Sequence, residues 1–370
     1  MVRFECFGDV LCPSCLAADR TVMAVSNTRP LGIFTGYMIL AATLTLKSIA
    51  IIRSQSRRRR RRATPPPKDG SPVATSGLPR GAAVAVFSLL AALSLATTWY
   101  HMFRFFEWSY QQWAFARYFE GIGMTGEEGL MLGEWLKDTS LFKQAWASTL
   151  ETGPRAWWSL QIFGFCANWS VLLAVQARKR SISHAWVFVL LGQVVAISFA
   201  ANLSFLAILC SPAVDESSAS RGVKKQEGGK TKSESSFVSW HTITLIVTLA
   251  WATSIPSAIG KPGFLSLLLG PHLLAFVPLT LNKLLPGRLL GEPAWAWKAA
   301  SMVWVLAAAF KGVLGDEEGL SVVLKTLYEH PAVSSERPGH PAPSFVPGAE
   351  GRFTAWYRNG SDVGIPPGKT

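Results

Sequence analysis

Seven stretches of this chain are apolar for about 20 residues each, the length a helix needs to cross the hydrocarbon core of a bilayer. They run over about 31–52, 82–104, 156–176, 185–210, 237–258, 264–285 and 295–315. The fifth and the last also carry polar residues and lysine. The expected fold is all-α: a polytopic integral membrane helical bundle of about seven transmembrane helices, with an interfacial helix in the loop between the second and third spans. Composition agrees, since 49% hydrophobic residues, 16% charged residues and 15 Trp lie away from the profile of a soluble domain. Residues 1–30 read as an extracytoplasmic N-terminal segment, 31–315 as the helical membrane domain, and 316–370 as a cytoplasmic, largely disordered tail.

A net charge of +13 would suggest nucleic acid as a partner in a soluble protein. Here much of the excess is one run, Arg57 to Arg62, directly after the first apolar stretch, where the positive-inside rule places cytoplasmic charge. The expected partner is the lipid bilayer, with the arginine run against anionic head groups, and not nucleic acid. Alternation across seven spans puts Arg178, Lys179 and Arg180 on the same side as the arginine run. It makes the amino terminus, 105–155 and 211–236 extracytoplasmic and the tail cytoplasmic. Residues 1–25 contain Arg3, Glu5, Asp9, Asp19 and Arg20 without a continuous apolar core, so no cleavable signal is expected and the first span serves as its own anchor. The endoplasmic reticulum membrane is the expected location. Segments 63–80, 215–236 and 331–370, rich in Pro, Gly, Ser and charge, read as linkers or tails.

Several short motifs carry little. Cys12 and Cys15 have redox or zinc spacing, but no second pair or His cluster lies nearby in the sequence, so a lumenal disulfide or no role fits better than a metal. The sequons at Asn168 and Asn202 fall inside spans, and the one at Asn359 falls in the expected cytoplasmic tail, so none is expected to be glycosylated. There is no P-loop, no HExxH, no GxSxG and no Asp-rich diphosphate motif. The sequence thus calls for no cofactor and no metal.

The informative block is "TTWYHMFRFFEWSYQQWAFARYFE" (97–120) followed by "GEEGLMLGEWLKDTSLFKQAW" (126–146). The first part is too polar to stay wholly in lipid and reads as an interfacial continuation of the second span. Thr125 with Glu128 makes a capping box for a new helix reaching about Thr149. Along it Leu132, Trp135, Leu136, Thr139, Phe142 and Trp146 form an apolar stripe, while Glu127, Met131, Glu134 and Asp138 share another face. Two readings of the Glu134–Asp138 pair stay open. One is a surface helix with its carboxylates in water; the other is a carboxyl at the mouth of a cavity, holding a proton for general acid catalysis. Polar residues His101, Arg104, Glu107, Tyr110, Gln111, Gln161, Asn202 and His241 gather at the same level, as do many Trp. A dry aromatic pocket with one acid suits a reaction through a carbocation. Asn168, Gln193 and His272 read as helix-to-helix hydrogen bonds.

This block between the second and third spans, with the Trp157–Trp158 opening of the next span, resembles the fungal membrane-bound terpene cyclases of meroterpenoid pathways. The resemblance rests mainly on residues 97–210. It implies cyclisation of an epoxidised farnesyl chain on an aromatic polyketide in secondary metabolism, started by epoxide protonation without metal or nucleotide. It also implies a hydrophobic small-molecule substrate and an upstream membrane monooxygenase as a possible partner. Read from the residues themselves, Glu134 or Asp138 is the acid. Glu107 is the alternative acid or a relay with His101, and Arg104 is the charge partner of Glu107. Trp108, Trp113, Trp135, Trp158 and Asn202 are candidates for substrate contact. The rival class is a non-enzymatic seven-span transporter or receptor, against which stands the lack of a DRY-like box and an NPxxY-like end; a scaffold without substrate is the third.

Overall fold

The computed structural model describes residues 27–62, 79–119, 130–212, 239–285, 290, 295–310, 321, 325 and 326. Among these all regular structure is helical. The elements are α1 (Thr28–Arg62), α2 (Arg80–Phe119), α3 (Leu132–Asp138), α4 (Leu141–Ser148), α5 (Gly153–Lys179), α6 (Trp186–Val194) and α7 (Ile197–Cys210). They continue with α8 (Trp240–Ser254), a single 3₁₀ turn at Pro256–Ala258, α9 (Phe264–Leu274), α10 (Val277–Leu284) and α11 (Trp295–Ala309). Three helices, α1, α2 and α5, are long and apolar enough to cross a membrane, and α9 with α10 makes a fourth if the pair, bent by 46°, is one span. The outer faces of α1 and α2 are apolar and bare: Ile33, Leu46, Leu89 and Leu93 are all more than half exposed, as lipid-facing side chains are.

Side-chain contacts fix the run of each helix. Arg58 of α1 donates to the Ser181 carbonyl (3.0 Å) just past α5, and Arg59 to the Leu209 carbonyl (3.4 Å) at the end of α7. Arg80, at the start of α2, also donates to Leu209, and Arg180 donates to Ile208 (3.4 Å) and Ser211 (3.1 Å). The C-termini of α1, α5 and α7 and the N-terminus of α2 therefore share one end of the bundle, which we term the basic end. The described acidic residues, Glu107, Glu134, Asp138 and Glu151, belong to the far part of α2, to α3 and to the approach to α5, at the other end.

This arrangement corrects the expectation of one span over 185–210. The stretch is two helices, α6 and α7, broken after Val195 at Ala196, whose backbone leaves the helical region (φ −164°, ψ 134°). They pack on each other as a hairpin that enters and leaves at the basic end. No proline forces the break; the freed carbonyl of Val194 instead accepts a hydrogen bond from the Tyr37 hydroxyl (3.0 Å) on α1, which offsets the lost helical bond. The hairpin holds the largest buried cluster, with Phe188, Val189, Leu191 and Ala200 wholly enclosed between α1, α2 and α5. Leu245 and Leu249 of α8 cluster with Ala167 of α5, while Ala252 and Ile255 cluster with Phe163 nearer the start of α5, so α8 runs antiparallel to α5 and starts at the basic end. Its far end, through Ala252 and Ile255, meets Leu150, Phe163 and Phe264. Then α9 and α10 return, with Asn282 donating to the Ala174 carbonyl (2.7 Å) near the end of α5. Helix α11 runs back outward: Ser301 donates to Asn168 (2.6 Å), the Trp304 ring lies over Gly164, and Arg155 donates to the Thr326 carbonyl (3.2 Å).

The bend between α9 and α10 has a local cause in two prolines. Pro278, in the first turn of α10, has no N–H for the Leu274 carbonyl, so the helix breaks at Ala275 and Phe276; one turn earlier Pro271 has none for the Leu267 carbonyl, and Trp251 of α8 supplies one instead (Nε1 to O, 2.7 Å). The indole reaches that carbonyl because residue 270 is glycine: a Cβ there would sit 2.3 Å from the Trp251 ring. Gly270→Ala is expected to displace the indole and leave the carbonyl unpaired, at about 1–3 kcal/mol. Thermal denaturation of the purified protein in detergent measures it, and an unchanged midpoint would contradict this account of the bend.

Candidate active site between the second and third helices

The apolar second span does continue as a helix past residue 104, without interruption to Phe119. On this extension Phe106, Ser109, Tyr110, Trp113 and Arg117 recur at three- and four-residue spacing and share one face. The single helix expected over 125–149 is not found. Helix α3 begins after Met131 and ends at Thr139, which is extended (φ −108°, ψ 138°), and α4 follows from Ser140. Thr125 and Glu128, the expected capping box, lie outside the described residues. The first N–H groups of α3 are satisfied from other elements. Gly133 donates to Asn27 Oδ1 (2.6 Å) and Met131 to the Tyr110 hydroxyl (3.3 Å), while Asn27 Nδ2 donates to the Leu130 carbonyl (3.0 Å). These bonds tie α3 to α2 and to the start of α1.

Against that face of α2, Glu134 and Asp138 meet one arginine. Arg117 Nη1 donates to Glu134 Oε2 and stands 3.7 Å from Asp138 Oδ2. The Arg117 guanidinium also lies over the Trp113 ring, 5.1 Å from its centroid, and the Trp113 indole N–H donates to Asp138 Oδ2 (3.0 Å). The side chains of Glu134 and Arg117 are largely enclosed, at 12% and 18% exposure, whereas that of Asp138 is 44% exposed. Arg117 Nε is buried with no hydrogen-bond partner, a donor left over for something else.

Aromatic rings form the wall. Trp135 is buried, edge-on to Tyr110 (5.8 Å) and Phe106 (6.3 Å), and Tyr110 stands 5.5 Å from Trp113. The Trp135 indole donates to Ser109 Oγ (3.2 Å), whose hydroxyl donates to Gln144 Oε1 (2.7 Å), so α2, α3 and α4 are pinned together by one chain of bonds.

Of the residues singled out from sequence, Glu134, Asp138, Trp113 and Trp135 come together here. The others do not join them. Glu107 is exposed, 3.5 Å from Arg104 and within 3.5 Å of Gln111, so its pairing with Arg104 is as expected but it stands off the cluster's face. His101 is exposed with its ring against Tyr100 (5.1 Å), and six residues of helix separate it from Glu107 by about 9 Å along the axis, against a direct relay. Trp108 packs on Phe105 (5.6 Å). Trp158 is 53% exposed beside Trp157 and lines no pocket with the acids. Asn202 donates to Ser94 (3.4 Å) in the α2–α7 seam, about 22 Å along α2 from Ser109. Tyr110, named among the polar residues at this level, joins the cluster, and the residues not singled out from sequence are Arg117, Ser109 and Gln144. For Arg117 and Ser109 the signal was the spacing of 106, 109, 110, 113 and 117 on one continuous helix.

A second polar group lies deeper. Gln193, at the tip of the α6–α7 hairpin, meets His272 Nδ1 on α9 and donates to Cys166 Sγ (3.7 Å). Trp146 of α4 stacks on Phe163 (5.5 Å) and stands edge-on to His272 (5.6 Å). His272 Nε2 is buried without a partner. Among the described residues no group of His, Cys, Asp and Glu side chains is arranged to hold a metal.

No family model matches the chain, and no curated protein or solved structure is significantly similar to it.

Proposed function

We propose that the chain is an integral membrane terpene cyclase that closes rings in an epoxidised farnesyl chain carried on an arene. The observation that supports this reading is the placing of Asp138 against the Trp113 indole, whose ring packs on Tyr110 and through it on Trp135, a carboxyl at the edge of an aromatic wall. Glu134 is the closer partner of Arg117 and serves to hold it. Asp138, half exposed and at 3.7 Å the more distant of the two carboxyls from the guanidinium, is the better-placed donor because Arg117 holds it in the ionised form less and water can return its proton after each turnover.

The step balances without a cofactor. Asp138 gives its proton to the epoxide oxygen, and the C–O bond to the more substituted carbon breaks as a chain alkene attacks that carbon. The rings of Tyr110 and Trp135 attract the cation as it moves down the chain, the Trp113 face being taken by Arg117, and the folded chain of the substrate shields the cation from the water that reaches Asp138. Loss of a carbon-bound proton, or attack by an arene hydroxyl, ends the reaction with the composition unchanged. The proposed location is the endoplasmic reticulum, and an upstream monooxygenase would supply the epoxide.

A second reading is favoured by a different observation. The hairpin tip and the broken α9–α10 pair meet at Gln193 and His272, and broken helices that meet inside a bundle are where transporters bind their substrates. Sealed proteoliposomes given a tritiated epoxy-farnesyl arene distinguish the two. The cyclase reading predicts a new isomer recovered after extraction. Unchanged substrate concentrated inside the vesicles would overturn it in favour of transport.

In the membrane we place the basic end in the cytoplasm. The hairpin then enters and leaves on that side, so the passes are α1, α2, α5, α8, the bent α9–α10 pair and α11. Six passes with one re-entrant hairpin replace the expected seven, and the chain beyond Thr326 lies on the lumenal side with the amino terminus.

A further inference from the structure

We infer that the basic end is a binding site for the phosphate head group of an anionic glycerophospholipid, held between the ends of α1, α2, α5 and α7. Three arginines from three elements, Arg59, Arg80 and Arg180, converge on the last turn of α7, where they donate to the backbone carbonyls of Ile208, Leu209 and Pro212 and to the Ser211 hydroxyl, Arg180 Nε donating also to Gln176 Oε1 (2.9 Å). These carbonyls are the ones a helix C-terminus leaves without partners, so each arginine caps the helix. A carbonyl carries no net charge, however, and among the described residues no carboxylate pairs with these guanidiniums: the four ion pairs involve only Arg104, Arg117 and Arg155. The charges crowd one another. Burial and the neighbouring Arg59 both lower the proton affinity of Arg180.

A second observation is independent of charge. Gln55, one turn before Arg59 on α1, is 1% exposed, and neither its amide nitrogen nor its amide oxygen has a hydrogen-bond partner. Leaving both groups unpaired in the interior costs about 1–3 kcal/mol for each, so a partner for them is favoured. A phosphate accepts from guanidinium and amide N–H alike, and it neutralises the cluster. The remaining exposed arginines of the run, Arg57, Arg58, Arg60, Arg61 and Arg62, ring the end of the same helix and draw anions toward it.

A lipid fits better than a free anion because an acyl-chain surface is adjacent. Val86, Leu89 and Leu90 of α2 are exposed two to three turns from Arg80. A head group at the arginines leaves its chains along these side chains.

Native mass spectrometry of the full chain in detergent, with equal amounts of phosphatidylserine and phosphatidylcholine, tests the site. The expected result is about tenfold preferential retention of phosphatidylserine. Arg59→Gln and Arg80→Gln each lower that preference several-fold, while Arg57→Gln changes it less. Because the two arginines also cap α7, Gln55→Leu is the cleaner probe: it should lower the preference while leaving thermal stability equal or higher, since it removes an unpaired buried amide. Equal retention of the two lipids would overturn the inference, as would a Gln55→Leu protein with undiminished preference. Full displacement by inorganic phosphate would overturn the assignment to lipid.

Discussion

Asp138→Asn is expected to lower the rate of cyclisation by about 10²–10⁴-fold while leaving the amount of folded, inserted protein unchanged. The amide keeps the volume of the side chain and can still accept from the Trp113 indole, but it has no proton to give. Asp138 is half exposed and is the more distant partner of Arg117, so its loss as a charge leaves the Arg117–Glu134 pair standing. Glu134→Gln behaves differently. It takes the charge from the enclosed side of the pair and leaves a largely buried arginine without its closer counter-ion, a change worth about 3–5 kcal/mol when the pair is fully buried and less here. The expected outcome is a lower yield of folded protein together with lower activity. Trp113→Phe keeps an aromatic ring near Arg117 but removes the indole donor and leaves a small void at a buried position, and should cost about tenfold in rate with some loss of stability. Turnover per folded molecule and the thermal midpoint, measured on all three variants, separate chemistry from folding. Near-normal turnover in Asp138→Asn would remove Asp138 as the acid.

The second large effect is all-or-none. If the α6–α7 hairpin enters and leaves on the cytoplasmic side, residues 213–238 are cytoplasmic and the sequon at Asn359 is lumenal. Both assignments are the opposite of those that seven alternating spans give. Asn359 is then expected to carry an N-linked glycan in a eukaryotic host, seen as a mobility shift that endoglycosidase reverses and Asn359→Gln abolishes. A sequon engineered into 215–236 is expected to stay unmodified, and one engineered into 140–150 to be modified. Modification within 215–236 with none at Asn359 would restore the alternating arrangement and contradict the hairpin.

How much was legible in the sequence follows from where each signal resides. Apolar length is a local property, so α1, α2 and α5 were visible as spans, and so was the continuation of α2 through Phe106, Tyr110 and Trp113. The face shared by Glu134 and Asp138 is a matter of helical spacing, and the structure keeps it. Arg117 lies in the same block and at the right spacing from Trp113, but in the chain Arg104 is the arginine next to Glu107, and it has no part in the cluster. The breaks were not visible because tertiary partners stabilise them. Val194 gives up a helical bond that Tyr37, 157 residues away, replaces. Helix α3 starts where it does with help from Asn27, 106 residues from Gly133. A run of Val, Leu, Phe and Ala over 185–210 has the same hydropathy whether it crosses a membrane once or turns back, and that single ambiguity set the side of everything after it. Pro271 and Pro278 mark the α9–α10 bend, in the manner prolines do, within the single apolar stretch over 264–285.

The central claim, that a carboxyl of this chain opens an epoxide and an internal nucleophile then closes the ring, is tested most directly by oxygen labelling. The purified protein, reconstituted in lipid and treated with a chelator, is given an epoxy-farnesyl arene in water enriched in heavy oxygen, and the product is examined by mass spectrometry. The account predicts a product of the same mass as the substrate with no label, because the epoxide oxygen stays on the molecule and no water is added. A labelled product heavier by one water would show hydrolysis in place of cyclisation, and activity that returns only with Mg²⁺ or a nucleotide would contradict the acid-initiated mechanism.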